Sequence, residues 1–85
     1  MGASIYIADV EKNIRDLITK FLECDGYSVT AFETVDELME EFLKKPCELV
    51  ILDIMMPGTD GLTICRQLRT ITDVPIIMLL SLIHI

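Results

Sequence analysis

The stretch Glu48-Leu49-Val50-Ile51-Leu52-Asp53 lies near the middle of the chain, and its four successive apolar residues run without polar alternation. A strand that is covered on both faces has this composition, because neither face meets water. Strands of this kind occur in parallel sheets that carry helices on both sides. The stretch therefore predicts a central β-strand at 48–53 that ends on a carboxylate.

Strand and helix patterns alternate on either side of this stretch. Strands are predicted at 4–8, 27–32 and 74–79 from β-branched, aromatic or fully apolar composition. Helices are predicted at 11–25, 34–45 and 62–70, where apolar residues recur at spacings of three and four. The order β-α-β-α-β-α-β predicts parallel strands joined by right-handed crossovers, and hence an open α/β sheet with helices on both faces.

Local signals mark the helix ends and the helix faces that should be buried. Gly26 is expected to end the first helix, and Thr34 with Glu37 has the spacing of a capping box that starts the second. Acidic residues of the second helix, Glu37, Glu40 and Glu41, predict a solvated surface. The predicted apolar faces are Ile14, Leu17, Ile18, Phe21 and Leu22 in the first helix, and Val35, Leu38, Met39 and Phe42 in the second.

Size and charge limit the classes of function. A chain of 85 residues has room for a single domain, 1–85, and its hydrophobic share of 52% excludes intrinsic disorder. The net charge of −7 argues against binding of nucleic acid by this segment, because such binding depends on Lys and Arg that neutralise phosphates.

Other patterns exclude further kinds of site. The apolar stretch 74–85 is shorter than the ~20 residues of a membrane-spanning helix, so no membrane anchor is expected. The three widely spaced cysteines predict reduced packing residues in the cytoplasm. The four glycines match neither a P-loop nor a dinucleotide motif, and His84 has no predicted partner for a catalytic triad.

Two carboxylates stand where an open parallel sheet forms its sites. Asp9 ends the first strand and Asp53 the third, and the two become neighbours if these strands pair. Two close carboxylates repel, so either a cation is recruited or one pKa rises. Mg²⁺ suits few, hard oxygen ligands, and an aspartate can also attack phosphorus to form an aspartyl phosphate. The alternative is that Asp9 only caps the following helix and Asp53 only opens a turn.

Three segments together resemble the receiver domain of bacterial two-component response regulators. They are Asp9 after an apolar strand, the run Leu-Val-Ile-Leu-Asp-Ile-Met-Met-Pro-Gly-Thr-Asp-Gly at 49–61, and Val-Pro-Ile-Ile-Met-Leu at 74–79. The resemblance covers about 4–79. It implies a flavodoxin-like fold with strand order 2-1-3-4-5, Asp53 as the phosphoacceptor, a sensor histidine kinase as the donor, and Mg²⁺ as the cofactor.

The resemblance also implies roles for individual residues. Asp53 and the main-chain carbonyl of Met55 would each supply an oxygen to Mg²⁺, and Asp9 would hold a metal-bound water. The chain would then be a phosphoryl acceptor rather than an enzyme, with self-dephosphorylation at most. Its response would pass to a covalently linked output domain outside this sequence.

The sequence departs from the family at three points. Val10 stands where the family has a second acidic residue, which leaves Glu11 as an alternative ligand or Mg²⁺ affinity reduced. Leu80 stands where a Ser or Thr should end the fourth strand, with Ser81 one residue late. The lysine that ends the fifth strand has no counterpart.

The segment 80–85 lacks the pattern expected after the fourth strand, and we expect a foreign or truncated end there. A complete fold of this type needs one more strand and two more helices, roughly 35–40 residues. Two alternatives to a phosphoacceptor therefore stay open: an interaction module independent of phosphorylation, which Val10 and Leu80 favour, and a non-functional fragment that cannot stay monomeric.

Overall fold

Strands and helices alternate along the whole described chain, which in the computed structural model comprises residues 2–9, 11–53 and 61–79. The elements are β1 (Ser4–Ala8), α1 (Lys12–Cys24), β2 (Ser28–Phe32), α2 (Val35–Lys44), β3 (Leu49–Asp53), α3 (Gly61–Ile71) and β4 (Ile76–Leu79). The predicted alternation is confirmed. Predictions about Val10, Met55, the loop at 57–60 and the segment 80–85 concern residues outside these ranges.

The four strands form one sheet in the order β2-β1-β3-β4, and every neighbouring pair is parallel. These are the first four positions of the flavodoxin-like order that the resemblance implies, so that expectation is confirmed. In the pairing of β1 with β3, Ala8 lies opposite Leu52. The next residues in the same register are Asp9 and Asp53.

Helices cover both faces of the sheet, as predicted. Because side chains alternate between the faces along each strand, each face has its own set of buried residues. On one face, Ile18 and Leu22 of α1 pack against Ile5, Ile7 and Ile51. The other face carries α2 and α3. Its buried residues include Tyr6, Ala8, Leu38, Phe42, Val50, Leu52 and Leu68.

The ends of α1 and α2 follow the local sequence. Gly26 adopts a φ of 94°, and the amides of Gly26 and Tyr27 donate to the carbonyls of Glu23 and Leu22. This pair of hydrogen bonds is a Schellman motif, which needs a left-handed residue after the helix. At the start of α2, the Glu37 amide donates to the Thr34 hydroxyl at 3.2 Å, which confirms the predicted cap.

The predicted buried face of α1 is partly wrong. Leu17 is 61% exposed and Phe21 is 71% exposed, whereas Ile18 and Leu22 contact the sheet. The helix packs against β2, which is the edge strand opposite β4 in the sheet. A single helix lying on a sheet buries a stripe narrower than its apolar face, so part of that face stays exposed. Ile77 of β4 is likewise 47% exposed on the same face, although the apolar composition of its strand predicts burial.

Most element ends differ from the prediction by one or two residues. The largest difference is at β4, which begins at Ile76 instead of Val74. Pro75 has no amide hydrogen to donate to a sheet, although its carbonyl accepts from the Val50 amide at 2.9 Å.

The three cysteines are free, with Cys47 buried, Cys65 half-buried and Cys24 exposed, so the prediction that all three are packing residues is wrong for Cys24. Among the described residues, no helix combines the length and apolar content needed to cross a bilayer.

Candidate functional site

Two carboxylates meet at the carboxyl ends of β1 and β3. Asp9 and Asp53 are 3% and 4% exposed, respectively, although nearly all other acidic side chains described are on the surface. The strand order places β1 beside β3, and the register sets the two residues opposite each other. The predicted juxtaposition is therefore confirmed.

Asp9 makes hydrogen bonds through its amide, its carboxylate and its main-chain carbonyl. Its amide donates to the Phe32 carbonyl at 3.2 Å, which joins it to the end of β2. Its Oδ1 accepts from the Glu11 amide at 2.9 Å, and its main-chain carbonyl accepts from Nη1 of Arg15 at 2.7 Å. The bond from the Glu11 amide is local, but the N-cap of α1 is Glu11, so Asp9 does not cap the helix as the alternative interpretation expected. Asp9 also faces a second carboxylate.

The electrostatics of the pair agree with the expectation from crowding. Burial raises the pKa of Asp9, and the nearby charge and hydrogen bond of Asp53 raise it further. The Glu11 amide and the positive charge of Arg15 act in the opposite direction on that pKa and do not cancel the rise. Bringing a proton or another cation to this carboxylate is therefore favourable in the folded chain.

The donor set fits a hard divalent cation with few protein ligands. Carboxylate oxygens at a buried, mutually repelling pair are ligands that Mg²⁺ accepts, and Mg²⁺ usually keeps several waters. Glu11, the alternative ligand considered for the place of Val10, has an exposed side chain, and its amide donates a hydrogen bond to Asp9. Within the described ranges, no acidic, histidine or cysteine side chain joins the pair to make a group of three.

Two further predictions about the site concern Met55 and Val10, which lie outside the described residues. The proposed metal-binding role of the Met55 carbonyl stays a prediction, as does the loss of an acidic ligand at Val10.

Arg15 is the residue of this region that the sequence did not single out. It lies six positions after Asp9 on a helix that carries other basic residues, so no local pattern separates it from them. Only the three-dimensional contact of its guanidinium with the Asp9 carbonyl distinguishes it.

Away from the Asp9–Asp53 pair, a concavity of about 260 Å³ lies between α2 and the end of β2. Its lining consists of Phe32, Glu37, Glu40, Glu41 and Lys44. Its acidic residues belong to the surface predicted to be solvated, and Glu37 and Glu40 are exposed.

Comparisons with known proteins agree with this geometry. The family model described as the response regulator receiver domain matches residues 5–82. The chain is 43% identical over 75 residues to the transcriptional regulatory protein ResD of Bacillus subtilis, a match that covers 88% of this chain and 31% of ResD. Against the first relatives in that comparison, the chain spans about a third of their length.

Two solved structures are similar over almost the whole chain. The BeF3-activated N-terminal receiver domain of Klebsiella pneumoniae RstA is 34% identical with a TM-score of 0.85, and the match covers 93% of this chain and 68% of that one. A chain in the complex of histidine kinase ThkA with response regulator protein TrrA is 36% identical with a TM-score of 0.87. That match covers 99% of this chain and 72% of the other.

Proposed function

Because the chain belongs to the response regulator receiver domain family, we propose that it accepts a phosphoryl group on Asp53 from a sensor histidine kinase and so controls an output response. Receiver domains of response regulators are in general signalling domains rather than enzymes. The proposed role is that of an acceptor, with self-dephosphorylation at most.

The observation that carries the proposal is the buried pair of Asp9 and Asp53 at the carboxyl edge of the sheet. A buried pair of carboxylates is unfavourable for stability, so a folded chain keeps it at a defined place for a chemical purpose more readily than for packing. In an open α/β sheet this edge is where ligands bind.

Two roles are proposed for residues of this chain: attack on phosphorus and binding of Mg²⁺. An oxygen of Asp53 attacks the phosphorus of the donor, forming a P–O bond while the P–N bond to the kinase histidine breaks and its electron pair returns to the imidazole nitrogen. Asp53, Asp9 and the Met55 carbonyl would hold Mg²⁺. When bound, Mg²⁺ supplies positive charge that offsets the negative charge of the transferring group.

Charge and relatives support the proposed partners. The similarity to a chain in the kinase–regulator complex supports a histidine kinase as donor, and the length of ResD supports a linked output domain. The net charge of −7 supports the proposal that nucleic acid is bound elsewhere, if at all, in the whole protein. The three free cysteines support a cytoplasmic location.

Labelling by a small phosphoryl donor tests the proposal. The chain is incubated with acetyl phosphate, with Mg²⁺ or with a chelator, and the intact mass is measured. We expect one phosphoryl group on the wild type only when Mg²⁺ is present, and none on Asp53→Asn. Asp73→Asn, which removes an exposed carboxylate after α3, is the matched control and should label like the wild type.

A folded wild type that takes no label, or an Asp53→Asn variant that labels equally well, would contradict the proposal. The former result would favour the interaction module that is independent of phosphorylation.

A further inference from the structure

Arg15 ties the start of α1 to the end of β1. Its amide donates to the Glu11 carbonyl at 3.0 Å, which is among the first hydrogen bonds of the helix. Its side chain turns back and donates from Nη1 to the Asp9 carbonyl at 2.7 Å. The side chain is half-buried, whereas Lys12 and Lys20 on the same helix are exposed.

This contact acts on the carboxylate of Asp9 through the backbone. The Glu11 amide holds Oδ1 of Asp9, and Arg15 holds the carbonyl of the same residue and the backbone of Glu11. A hydrogen bond from a guanidinium at this distance is a strong one, and the planar group offers its donors in a fixed geometry. Turning the Asp9 carboxylate away from Asp53 breaks the bond from the Glu11 amide, and Arg15 holds the backbone of both residues that make that bond.

We propose that Arg15 is a positioning residue of the phosphoryl-transfer site, which holds the Asp9 carboxylate toward Asp53 in the orientation that receives Mg²⁺. This inference rests on the proposed function, because it takes the Asp9–Asp53 pair as the site of Mg²⁺ and phosphoryl transfer. It assigns to Arg15 a role that acts through Asp9 and not through contact with the phosphoryl group.

A positioning role and a purely electrostatic role of Arg15 predict opposite changes in Mg²⁺ affinity when Arg15 is removed. The positive charge of Arg15 repels Mg²⁺, so a purely electrostatic role means that Arg15→Gln binds Mg²⁺ more tightly. Loss of positioning means weaker binding, since groups that orient metal ligands typically contribute about 10–100-fold to affinity. The direction of the change therefore identifies the role.

The test is a Mg²⁺ titration of the 85-residue chain followed by NMR, without any phosphoryl donor. The amide resonances of Asp9 and Asp53 report binding, and hydrogen exchange of the Glu11 amide reports the orientation of Asp9. We expect Arg15→Gln to bind Mg²⁺ about tenfold more weakly and to exchange the Glu11 amide faster. Arg15→Lys, which keeps a charged donor, should recover most of the affinity, and Lys20→Gln should match the wild type.

A second measurement needs no variant and so does not depend on the folding of Arg15→Gln. In the wild type, the side-chain resonance of Arg15 should shift with the same Mg²⁺ dependence as the Asp9 amide. The side chains of Arg66 and Arg69 on α3 serve as internal controls and should not shift.

Unchanged or tighter Mg²⁺ binding by Arg15→Gln would overturn the inference. So would a wild type that binds no Mg²⁺, or an Arg15 side-chain resonance that does not shift when Mg²⁺ is added. These readouts are separate from phosphorylation. If Asp53 fails to accept a phosphoryl group while Arg15→Gln weakens Mg²⁺ binding, the proposed function fails and the positioning role stands.

Discussion

Asp9 is an acid whose ionised form is disfavoured in the folded chain. Burial, and then the neighbouring Asp53, raise its pKa above the ordinary value of 3.8. The folded chain therefore holds this proton more tightly than the unfolded chain does, so the contribution of Asp9 to stability is greatest below its ordinary pKa. That contribution is lost as the pH rises through the raised pKa, so the buried Asp9 carboxylate opposes folding above that pKa.

Asp9→Asn should stabilise the chain at pH values above the raised pKa of Asp9. The amide oxygen can still accept from the Glu11 amide, and the new NH₂ group can donate to Asp53, so a repulsive pair becomes a hydrogen-bonded one. We expect the thermal midpoint to rise by several degrees, since about 1 kcal/mol corresponds to roughly 4–8 °C in a domain of this size. The gain should shrink as the pH falls through the raised pKa toward 3.8.

Thermal unfolding followed by circular dichroism at several pH values measures this gain. Asp73→Asn is the control, because it removes an exposed carboxylate and should change the midpoint little at any pH. A gain from Asp9→Asn that does not depend on pH would show that the Asp9 carboxylate is not the source of the instability.

At the scale of the element, the link from α1 to β2 depends on one backbone conformation. Gly26 has a φ of 94°, and a Cβ placed there would meet no described atom within 4 Å. A substitution at this position is therefore unfavourable because of the left-handed backbone and not because of a clash.

Gly26→Ala should destabilise the chain by about 1 kcal/mol, since alanine enters the left-handed region reluctantly. Gly26→Asn should lose less, because asparagine tolerates this region better. Urea unfolding of the two variants beside the wild type gives both values. Equal stability of wild type and Gly26→Ala would mean that the Schellman ending of α1 contributes nothing to the fold.

Across the whole molecule, α2 contributes three buried side chains to the core on its face of the sheet: Val35, Leu38 and Phe42. Leu38 is fully buried at 0% exposure among residues of β1, β3 and α3, whereas Leu43 on the same helix is 69% exposed. The same residue type thus occupies the core and the surface within two turns.

Leu38→Ala should destabilise the chain by about 2–5 kcal/mol, because it removes transfer energy and leaves a cavity. Leu43→Ala should stay within about 0.5 kcal/mol of the wild type. Denaturant unfolding of both variants tests the assignment of the core. A loss at Leu43 equal to that at Leu38 would place the core on the wrong face of α2.

Sequence patterns predicted the strands, the helices and their order well, because hydrophobic periodicity sets these features. The strand order could be inferred only through the resemblance, because periodicity does not say which strands pair. Once β1 lies beside β3, the meeting of Asp9 and Asp53 follows from their position at the strand ends.

Features that depend on the distance between elements were not predictable. Leu17 and Phe21 have helical spacing with Ile18, and only the placement of α1 over β2 leaves them exposed. The contact of Arg15 with Asp9 joins a side chain to a carbonyl six residues earlier, which no sequence period describes.

Identifying the residue that carries the phosphoryl group tests directly whether Asp53 is the phosphoacceptor. Borohydride reduces an aspartyl phosphate to homoserine, and tandem mass spectrometry then identifies the converted residue. After treatment with acetyl phosphate and Mg²⁺, we expect conversion at Asp53 and at no other carboxylate. Conversion at a different residue, or no conversion in a chain that circular dichroism shows to be folded, would contradict it.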